Sequence, residues 1–232
     1  MERPILFSGP MVRAILEGRK TQTRRVIKPQ PPSMYNWCGW ELPLRRKACW
    51  SPEPTDSPVV TNVHSVPVRF VNGDRLWVRE TFAAYPSGYV YKADYKNDGF
   101  GSGIVELATG VLHPLIWKPS IHMPRSASRI TLEVLSVRVE HIQEISDEDC
   151  LAEGIYPRVE RWPQGTNTKF CVPGMIATNA YGEHDDYGLS SPRMAFLTLW
   201  NELHSVNDND WYSNPWVWVI EFKRIQTWKE EG

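Results

Sequence analysis

The chain has 232 residues, of which 41 % are hydrophobic, so it can bury a sizeable core within one large domain. Its net charge of −1 argues against a large phosphate-binding footprint, yet residues 1–47 carry ten lysines and arginines against three glutamates, a balance of +7. Residues 140–153 carry six acidic residues and no Lys or Arg. This separation indicates either an anionic ligand at the basic end or a solvated basic face.

The N-terminal segment predicts a helix followed by a strand. In residues 8–18, Ser8 is suited to the N-cap, Pro10 to the first turn and Gly18 to the end of the helix. Residues 21–27 are then expected to be extended. Because an offset of three places two strand residues on opposite faces, side chains at 20 and 23 converge only if residue 20 belongs to the turn at the helix end.

The next part of the chain predicts a long loop and then hairpins. Residues 29–66 are rich in Pro, Trp and Ser and have little periodicity, which is typical of an irregular insertion. The Asn72-Gly73 pair predicts a hairpin whose two strands lie within 67–81. Aromatic residues and glycines in 86–114 suggest another hairpin with a flexible tip.

A bent strand and a short acidic helix are predicted next. Residues 129–142 alternate between apolar and polar side chains, and the phase changes at Val134-Leu135, which predicts a β-bulge. Ser146 is suited to cap a helix with acidic residues in its first turn, and this helix is expected to end near Gly154.

The C-terminal third predicts a second irregular insertion over 156–190, a helix over 192–204 and a buried strand over 216–223. We interpret the acidic tract at 183–186 as a solvated loop and not as a metal site, because no second ligand cluster is evident. The elements together predict one α+β domain over 1–232, a small mixed β-barrel with flanking helices and two irregular insertions.

Cysteine and tryptophan usage indicate a reducing environment and aromatic packing. None of the four cysteines has CxxC spacing or a His at zinc-site spacing, so free thiols are expected, with no metal and no cofactor. No apolar run approaches a signal peptide or a membrane span, so we expect a cytoplasmic protein without a membrane partner. Eleven tryptophans are more typical of packing than of base stacking.

The segment from Gly18 to Arg25 reads GRKTQTRR and places four cations and two hydroxyls within seven residues. Positive neighbours disfavour the charged form of Lys20, so in a desolvated site its pKa is expected to fall. Such a lysine can accept a proton and make a nearby threonine nucleophilic. The same cluster can instead bind phosphate without chemistry, or Lys20 can be a surface lysine near a helix end.

This signature and three later segments together resemble the ASCH domain, a small β-barrel family related to PUA domains. The later segments are Gly73 to Val78, Ile145 to Gly154 and the strand from Trp216 to Phe222. The ending of the β-strand at Arg79-Glu80-Thr81 and the C-terminal Asn-Pro-Trp-Val-Trp-Val-Ile run resemble longer ASCH proteins of bacteriophages and prophages.

The resemblance implies two activities, because some small bacterial ASCH proteins are amidohydrolases that deacylate N4-acetylcytidine and others bind or cut RNA. In the amidohydrolase pattern a lysine, a threonine and a later glutamate act together, and these match Lys20, Thr23 and Glu153. Glu144 and Glu148 are close rivals for the glutamate.

Further residues are expected to contact the substrate. Glu80 either pairs with Lys20 or Arg24 in the barrel mouth or forms an ordinary ion pair at the rim, and Trp77 can stack a base if it lines the mouth. The full set of expected substrate-binding residues is Arg19, Thr21, Arg24, Arg25, Trp77, Arg79 and Glu80.

The function that follows is deacylation of an N4-acylated cytidine-type nucleoside or a related nucleic-acid base. One alternative is an RNA-binding module of phage origin that is non-catalytic or ribonucleolytic. Another is a phage protein that binds a host protein through its Trp-rich insertion. The expected partners are therefore a nucleoside, RNA or a host protein.

Overall fold

The computed structural model describes residues 1–41, 46–53, 62–86, 88–95, 103–105, 112–162, 165–178, 184–204, 206 and 208–225. Within these residues the protein has an α+β fold that is rich in strands, so the α+β part of the predicted fold class is confirmed. The helices are α1 (Gly9–Leu16), α2 (Asp147–Ala152) and α3 (Pro192–His204). The strands are β1 (Glu2–Leu6), β2 (Gln22–Val26), β3 (Asn36–Trp40), β4 (Lys47–Ser51), β5 (His64–Pro67), β6 (Arg75–Arg79), β7 (Phe82–Tyr85), β8 (Gly88–Tyr91), β9 (Gly103–Val105), β10 (Leu112–Pro114), β11 (Thr131–His141), β12 (Tyr156–Trp162), β13 (Gly165–Thr178), β14 (His184–Leu189) and β15 (Trp216–Ile225).

The three helices form where local sequence predicts them. Ser8 is extended and precedes α1, and Gly18 follows the helix at φ +74°, a conformation that glycine adopts without strain. The Ser8 side chain makes no capping hydrogen bond, so only its backbone role is observed. Ser146 does cap α2, since its side chain accepts a hydrogen bond from the backbone N–H of Asp149.

A five-stranded sheet in the order β1-β6-β11-β15-β2 forms the centre of the fold. The strands predicted over 21–27, 129–142 and 216–223 are β2, β11 and β15. The register between β11 and β15 shifts between Val134 and Ser136, which is the predicted bulge. All neighbouring pairs are antiparallel except β1 and β6, which are parallel.

The described strands do not close into the barrel that the sequence predicts, because the edge strands β1 and β2 share no backbone ladder. Pro4 in β1 has no N–H to donate. The carbonyl of Leu6, at the end of β1, instead accepts a hydrogen bond from the Arg25 side chain of β2 at 2.6 Å. The two edges are thus joined by a side chain.

The hairpin predicted at Asn72-Gly73 is wrong, although a turn is present there. The Asp74 N–H donates to the Val71 carbonyl at 3.0 Å, and the Asp74 carboxylate accepts from the Val71 N–H at 3.2 Å. The residues before the turn do not pair with β6, because β1 and β11 occupy its two edges. The N-terminal ammonium of Met1 holds β1 in place through a 2.9 Å contact with Asp74.

Both insertions contain regular structure, which corrects the expectation that they are irregular. In the first, β3, β4 and β5 form an antiparallel sheet, and in the second, β12, β13 and β14 form another. The region 86–114 contributes parts of two strand pairs, β7 with β8 and β9 with β10, while its glycines at 99 and 101 lie outside the described residues.

Tryptophans from distant parts of the sequence form one cluster that joins the first insertion to the central sheet. Trp40 stacks on Trp218 with ring centroids 6.1 Å apart, and Trp50 lies 5.9 Å from Trp216 and 5.2 Å from Trp37. Trp50 is fully buried. The tryptophans in this cluster are thus used for packing, as expected.

The core contains buried apolar side chains from the helices and from four strands of the central sheet, whereas β2 contributes only the partly buried Val26. Its first three residues are buried and polar: Gln22, Thr23 and Arg24. Buried polar side chains at the edge of a core are informative because burial is costly for them unless they are paired. The first three residues of β2 therefore mark the candidate site.

The cysteines form no disulfide, and Cys150 and Cys171 are buried. Burial raises the pKa of the Cys150 thiol to about 12, so this thiol is protonated at neutral pH. No helix of the described part of the chain is long and apolar enough to cross a membrane.

Candidate active site

The turn after α1 directs Lys20 into the protein. The backbone N–H groups of Arg19 and Lys20 both donate to the Ala14 carbonyl, at 2.9 and 3.0 Å, so the chain reverses before β2 begins. Lys20 thus belongs to the turn and Thr23 to the strand, as their convergence requires. Each of the two residues is only 4 % exposed.

Lys20 and Glu153 form a buried ion pair. The Lys20 Nζ lies 2.6 Å from Glu153 Oε2 and also donates to the Glu153 carbonyl at 2.7 Å. Glu153 is the C-cap of α2, so the end of that short helix sets its position. Burial lowers the pKa of Lys20, the charge and hydrogen bond of Glu153 oppose this, and the charges of Arg25 and Arg24 lower it further.

Arg24 connects this pair to the acidic segment. Its side chain is fully buried and contacts Glu153 Oε1 at 3.3 Å, Glu140 Oε2 at 3.0 Å and Asp149 Oδ2 at 2.7 Å. Burial raises the pKa of Asp149, but the hydrogen bond and charge of Arg24 and the charge of Arg138 outweigh this, so the net shift is downward. The basic segment and the acidic segment thus neutralise each other in part inside the fold.

Lys20, Thr23, Arg24 and Glu153 line one cavity of about 130 Å³. A dry cavity of about 150 Å³ accommodates benzene, so this volume suits one planar ring. Most of the remaining lining is apolar and comes from α3 and from the stretch between the end of β1 and the first turn of α1: Leu6, Phe7, Met11, Phe196, Leu199, Trp200 and Leu203. Polar groups at one side of an apolar cavity are typical of a small-molecule site.

Arg25 of β2 also lines this cavity, and its side chain reaches the Leu6 carbonyl of the other edge strand. Its guanidinium carbon is 5.3 Å from the centroid of the Phe7 ring, and Lys20 Nζ is 5.9 Å from the same ring. Phe7 thus carries cations on its face, an arrangement that stabilises positive charge next to an apolar wall.

The turn residues Arg19 and Thr21, which the sequence places among the substrate-binding residues, do not line the cavity. Arg19 binds Glu17, donates to the Gly154 carbonyl at 3.1 Å and lies over the Tyr156 ring. Thr21 is exposed, and its backbone N–H donates to the Ala152 carbonyl.

The expected contacts from β6 are also absent from the cavity lining. Leu76 and Val78 face the core, so Trp77 and Arg79 lie on the other face, where Arg79 packs over the Trp77 ring. Glu80 is 1 % exposed and binds Arg129, not Lys20 or Arg24. Its Oε1 accepts from Arg129 Nε at 2.9 Å. Of the two interpretations of Glu80, a pair with Lys20 or Arg24 and an ordinary ion pair, the ordinary ion pair is the one observed.

The rival glutamates for the Glu153 position lie outside the cavity. Glu144 is exposed and accepts a hydrogen bond from the His141 N–H at 2.8 Å, and Glu148 is exposed on α2. Sequence reasoning missed the cavity lining from α3, including His204, which stacks on Trp200 with centroids 3.9 Å apart. The apolar periodicity of α3 predicted that one face of the helix is buried. It could not show that this face lines both the core and the cavity.

Among the residues that the structure describes, no group of three or more His, Cys, Asp or Glu side chains is placed to hold a metal ion. Of the acidic tract at 183–186, Glu183 lies outside the described residues, and the side chains of the other three are not described.

No protein-family model matches the chain, and no curated protein or solved structure is significantly similar to it.

Gly154 provides a test of how tightly Lys20 is packed. It adopts φ +103°, and an added Cβ would lie 3.4 Å from the Cβ atoms of Lys20 and Ala14. We expect Gly154→Ala to lower the free energy of unfolding by about 1–3 kcal/mol, from backbone strain and crowding. Urea denaturation measures this loss.

Gly18→Ala is the matched control, because Gly18 also has a positive φ but nothing lies within 4 Å of an added Cβ. Backbone strain alone should make it less destabilising than Gly154→Ala. Equal losses of stability for the two variants would show that the space around Lys20 is not tight.

Proposed function

We propose that this protein is an amidohydrolase that acts in the cytoplasm and removes the acyl group from an N4-acylated cytidine-type nucleoside or a related nucleic-acid base. The observation that carries the proposal is the buried Lys20–Glu153 pair at 2.6 Å, with Thr23 lining the same ring-sized cavity. A base, a nucleophile and a carboxylate in one apolar pocket are the groups that acyl transfer needs.

In the proposed reaction the neutral amine of Lys20 accepts the hydroxyl proton of Thr23 as the Thr23 oxygen attacks the acyl carbon. The tetrahedral intermediate collapses, the C–N bond breaks, and the leaving N4 amine takes the proton from the Lys20 ammonium. Water then hydrolyses the acyl ester on Thr23, which releases the carboxylic acid and restores the hydroxyl. Glu153 orients Lys20 through their hydrogen bond.

Arg24 supplies a candidate donor for the developing oxyanion. Its two terminal nitrogens bind carboxylates, but its buried Nε has no hydrogen-bond partner among the described residues. Because Arg24 lines the cavity, this N–H is available to a charge that forms there. A buried donor that gains its partner only during the reaction stabilises the transition state selectively.

The proposed fold family is the PUA-like ASCH barrel. Its support is the order of the elements and the near approach of the sheet edges at Arg25 and Leu6. The segment from Gly18 to Arg24 follows the first helix and enters β2, and Trp216 to Phe222 lies in β15, the interior strand that pairs with β2.

The alternative is an RNA-binding ASCH module without this hydrolytic activity. The cations that line the cavity favour it, but Arg24 is held by three carboxylates and is not free to bind phosphate. A host-protein contact through the Trp-rich insertion has less support, since Trp50 is buried and Trp40 stacks on Trp218.

The proposal is tested by measuring acetate release from N4-acetylcytidine as a function of pH. Only neutral Lys20 can take the proton, and burial lowers its pKa, so the rate should rise with pH and level off below the usual lysine range. N-acetyl amides without a pyrimidine ring are the control substrates and should react more slowly. Absence of turnover across the pH range would contradict the proposal.

A further inference from the structure

A second cavity, here called the cationic groove, shares the lining residue Arg25 with the candidate active site. Its volume is about 360 Å³, and the lining residues that matter here are Arg25, Lys28, Arg69, Phe70 and Trp218. None of the described residues that line it is an aspartate or a glutamate. The groove thus combines three cations with two aromatic rings.

The cationic groove and the candidate active site adjoin each other. Arg25 and Leu6 line both cavities, and the Arg25 guanidinium is fixed by its hydrogen bond to the Leu6 carbonyl. Because Arg25 uses one terminal nitrogen for this bond, its remaining donors can serve a ligand that extends from one cavity to the other. A molecule with its ring in the active site can therefore reach the groove with a substituent.

The cations of the groove lack the anionic partners that other cations of this protein have. Arg24, Arg129 and Arg138 each bind carboxylates, whereas Lys28 and Arg69 form no ion pair within the described part of the chain. Lys28 and Arg69 are both exposed, so they are accessible to a ligand.

The positive charges of the groove act on one another. Burial lowers the pKa of Arg25, the charge of Glu153 opposes this, and the charge of Arg69 lowers the pKa further. An anion placed among Arg25, Lys28 and Arg69 would replace this repulsion with attraction. Multiple arginine donors in a fixed geometry match the oxygens of a phosphate group.

We propose that the cationic groove is a phosphate subsite, so that the substrate is a phosphorylated nucleoside whose base enters the candidate active site. This inference rests on the proposed function for the identity of the base. The phosphate has two possible sources, the 5′-monophosphate of a free nucleotide or a phosphodiester of a single-stranded polynucleotide. Phe70 and Trp218 provide apolar walls beside the phosphate.

The test is calorimetric binding of cytidine, cytidine 5′-monophosphate and a short single-stranded oligocytidylate to the full chain. Wild-type protein should bind cytidine 5′-monophosphate about tenfold more tightly than cytidine. Arg69→Glu and Lys28→Glu should each weaken binding of the monophosphate by about tenfold and should reduce its advantage over cytidine.

Arg224→Glu is the matched control, because it makes the same change in net charge at an exposed arginine on β15. Arg224 lies six residues beyond Trp218, about 20 Å along the strand. It should leave the binding of all three probes within about twofold of wild type. Circular dichroism of each variant shows whether the fold is retained.

The outcomes separate the two sources and the two proposals. Tighter binding of the oligocytidylate than of the monophosphate, lost in Arg69→Glu, identifies a polynucleotide, and the reverse order identifies a free nucleotide. Equal binding of cytidine and both phosphorylated probes, or equal effects of Arg69→Glu and Arg224→Glu, would overturn the phosphate subsite. If Arg69-dependent binding holds while N4-acetylcytidine is not hydrolysed, the subsite stands and the amidohydrolase assignment fails.

Discussion

Replacing Lys20 with methionine is expected to lower the rate of acetate release from N4-acetylcytidine by about 10³-fold or more. Methionine is unbranched and fits a buried site, but it cannot accept the Thr23 proton. Glu153 keeps its contact with Arg24 at 3.3 Å in this variant, so its carboxylate is not left without a partner. Initial rates under saturating substrate measure the effect.

Three further variants separate a catalytic from a structural role for Lys20. Thr23→Val should lose about as much activity as Lys20→Met, and the double variant should be little worse, because the two residues act as one unit. Lys20→Arg should also fail, since arginine is not a base near neutral pH. Activity retained in Lys20→Arg, or additive losses in the double variant, would argue against the proposed roles.

Local chemistry predicted the elements that border the site. Gly18 ends α1, Ser146 caps α2, and the change of phase at Val134-Leu135 becomes the bulge in β11, because each depends on residues close in sequence. By contrast, β1 was missed. It contains Pro4 and only one fully buried side chain, Ile5, so its sequence lacks the apolar alternation of a typical strand.

The strands of the two insertions were missed for a related physical reason. Trp37 and Trp50 stabilise β3 and β4 through contacts with each other and with β15, so the stabilising partner is distant in sequence. In β12 and β13, cross-strand pairs such as Arg158 with Lys169 are polar and carry no periodic apolar signal.

The residues of the candidate site likewise divide into those that the local sequence predicted and those that depend on distant partners. The GRKTQTRR segment marked Lys20 by its local charge density, but Glu153 lies 133 residues away, and only the family resemblance connected the two positions. The partners of Arg24 were visible as an acidic segment without an assignment to a particular cation. Trp77 and Glu80 do not line the cavity, and the sequence could not show this because the facing of β6 is set by its neighbours β1 and β11.

Replacing Arg24 with methionine is expected to lower the free energy of unfolding by about 3–5 kcal/mol at pH 7. The fully buried guanidinium holds Glu140, Asp149 and Glu153, and its loss leaves three close carboxylates with fewer compensating charges. Arg125→Met is the control. Arg125 forms an exposed pair with Glu2, and its loss should cost below about 1 kcal/mol. Urea denaturation of both variants measures the difference.

The pH dependence of this loss identifies its electrostatic origin. Arg24 holds the pKa of Asp149 below its unfolded value of about 4, so the stability that this interaction contributes is present above pH 4 and is lost as the pH falls through the folded pKa. The difference in stability between wild type and Arg24→Met should therefore shrink as the pH is lowered from 7 towards 3. A constant difference over this range would mean that Arg24 acts through packing against Phe196, 5.9 Å away, and not through its carboxylate partners.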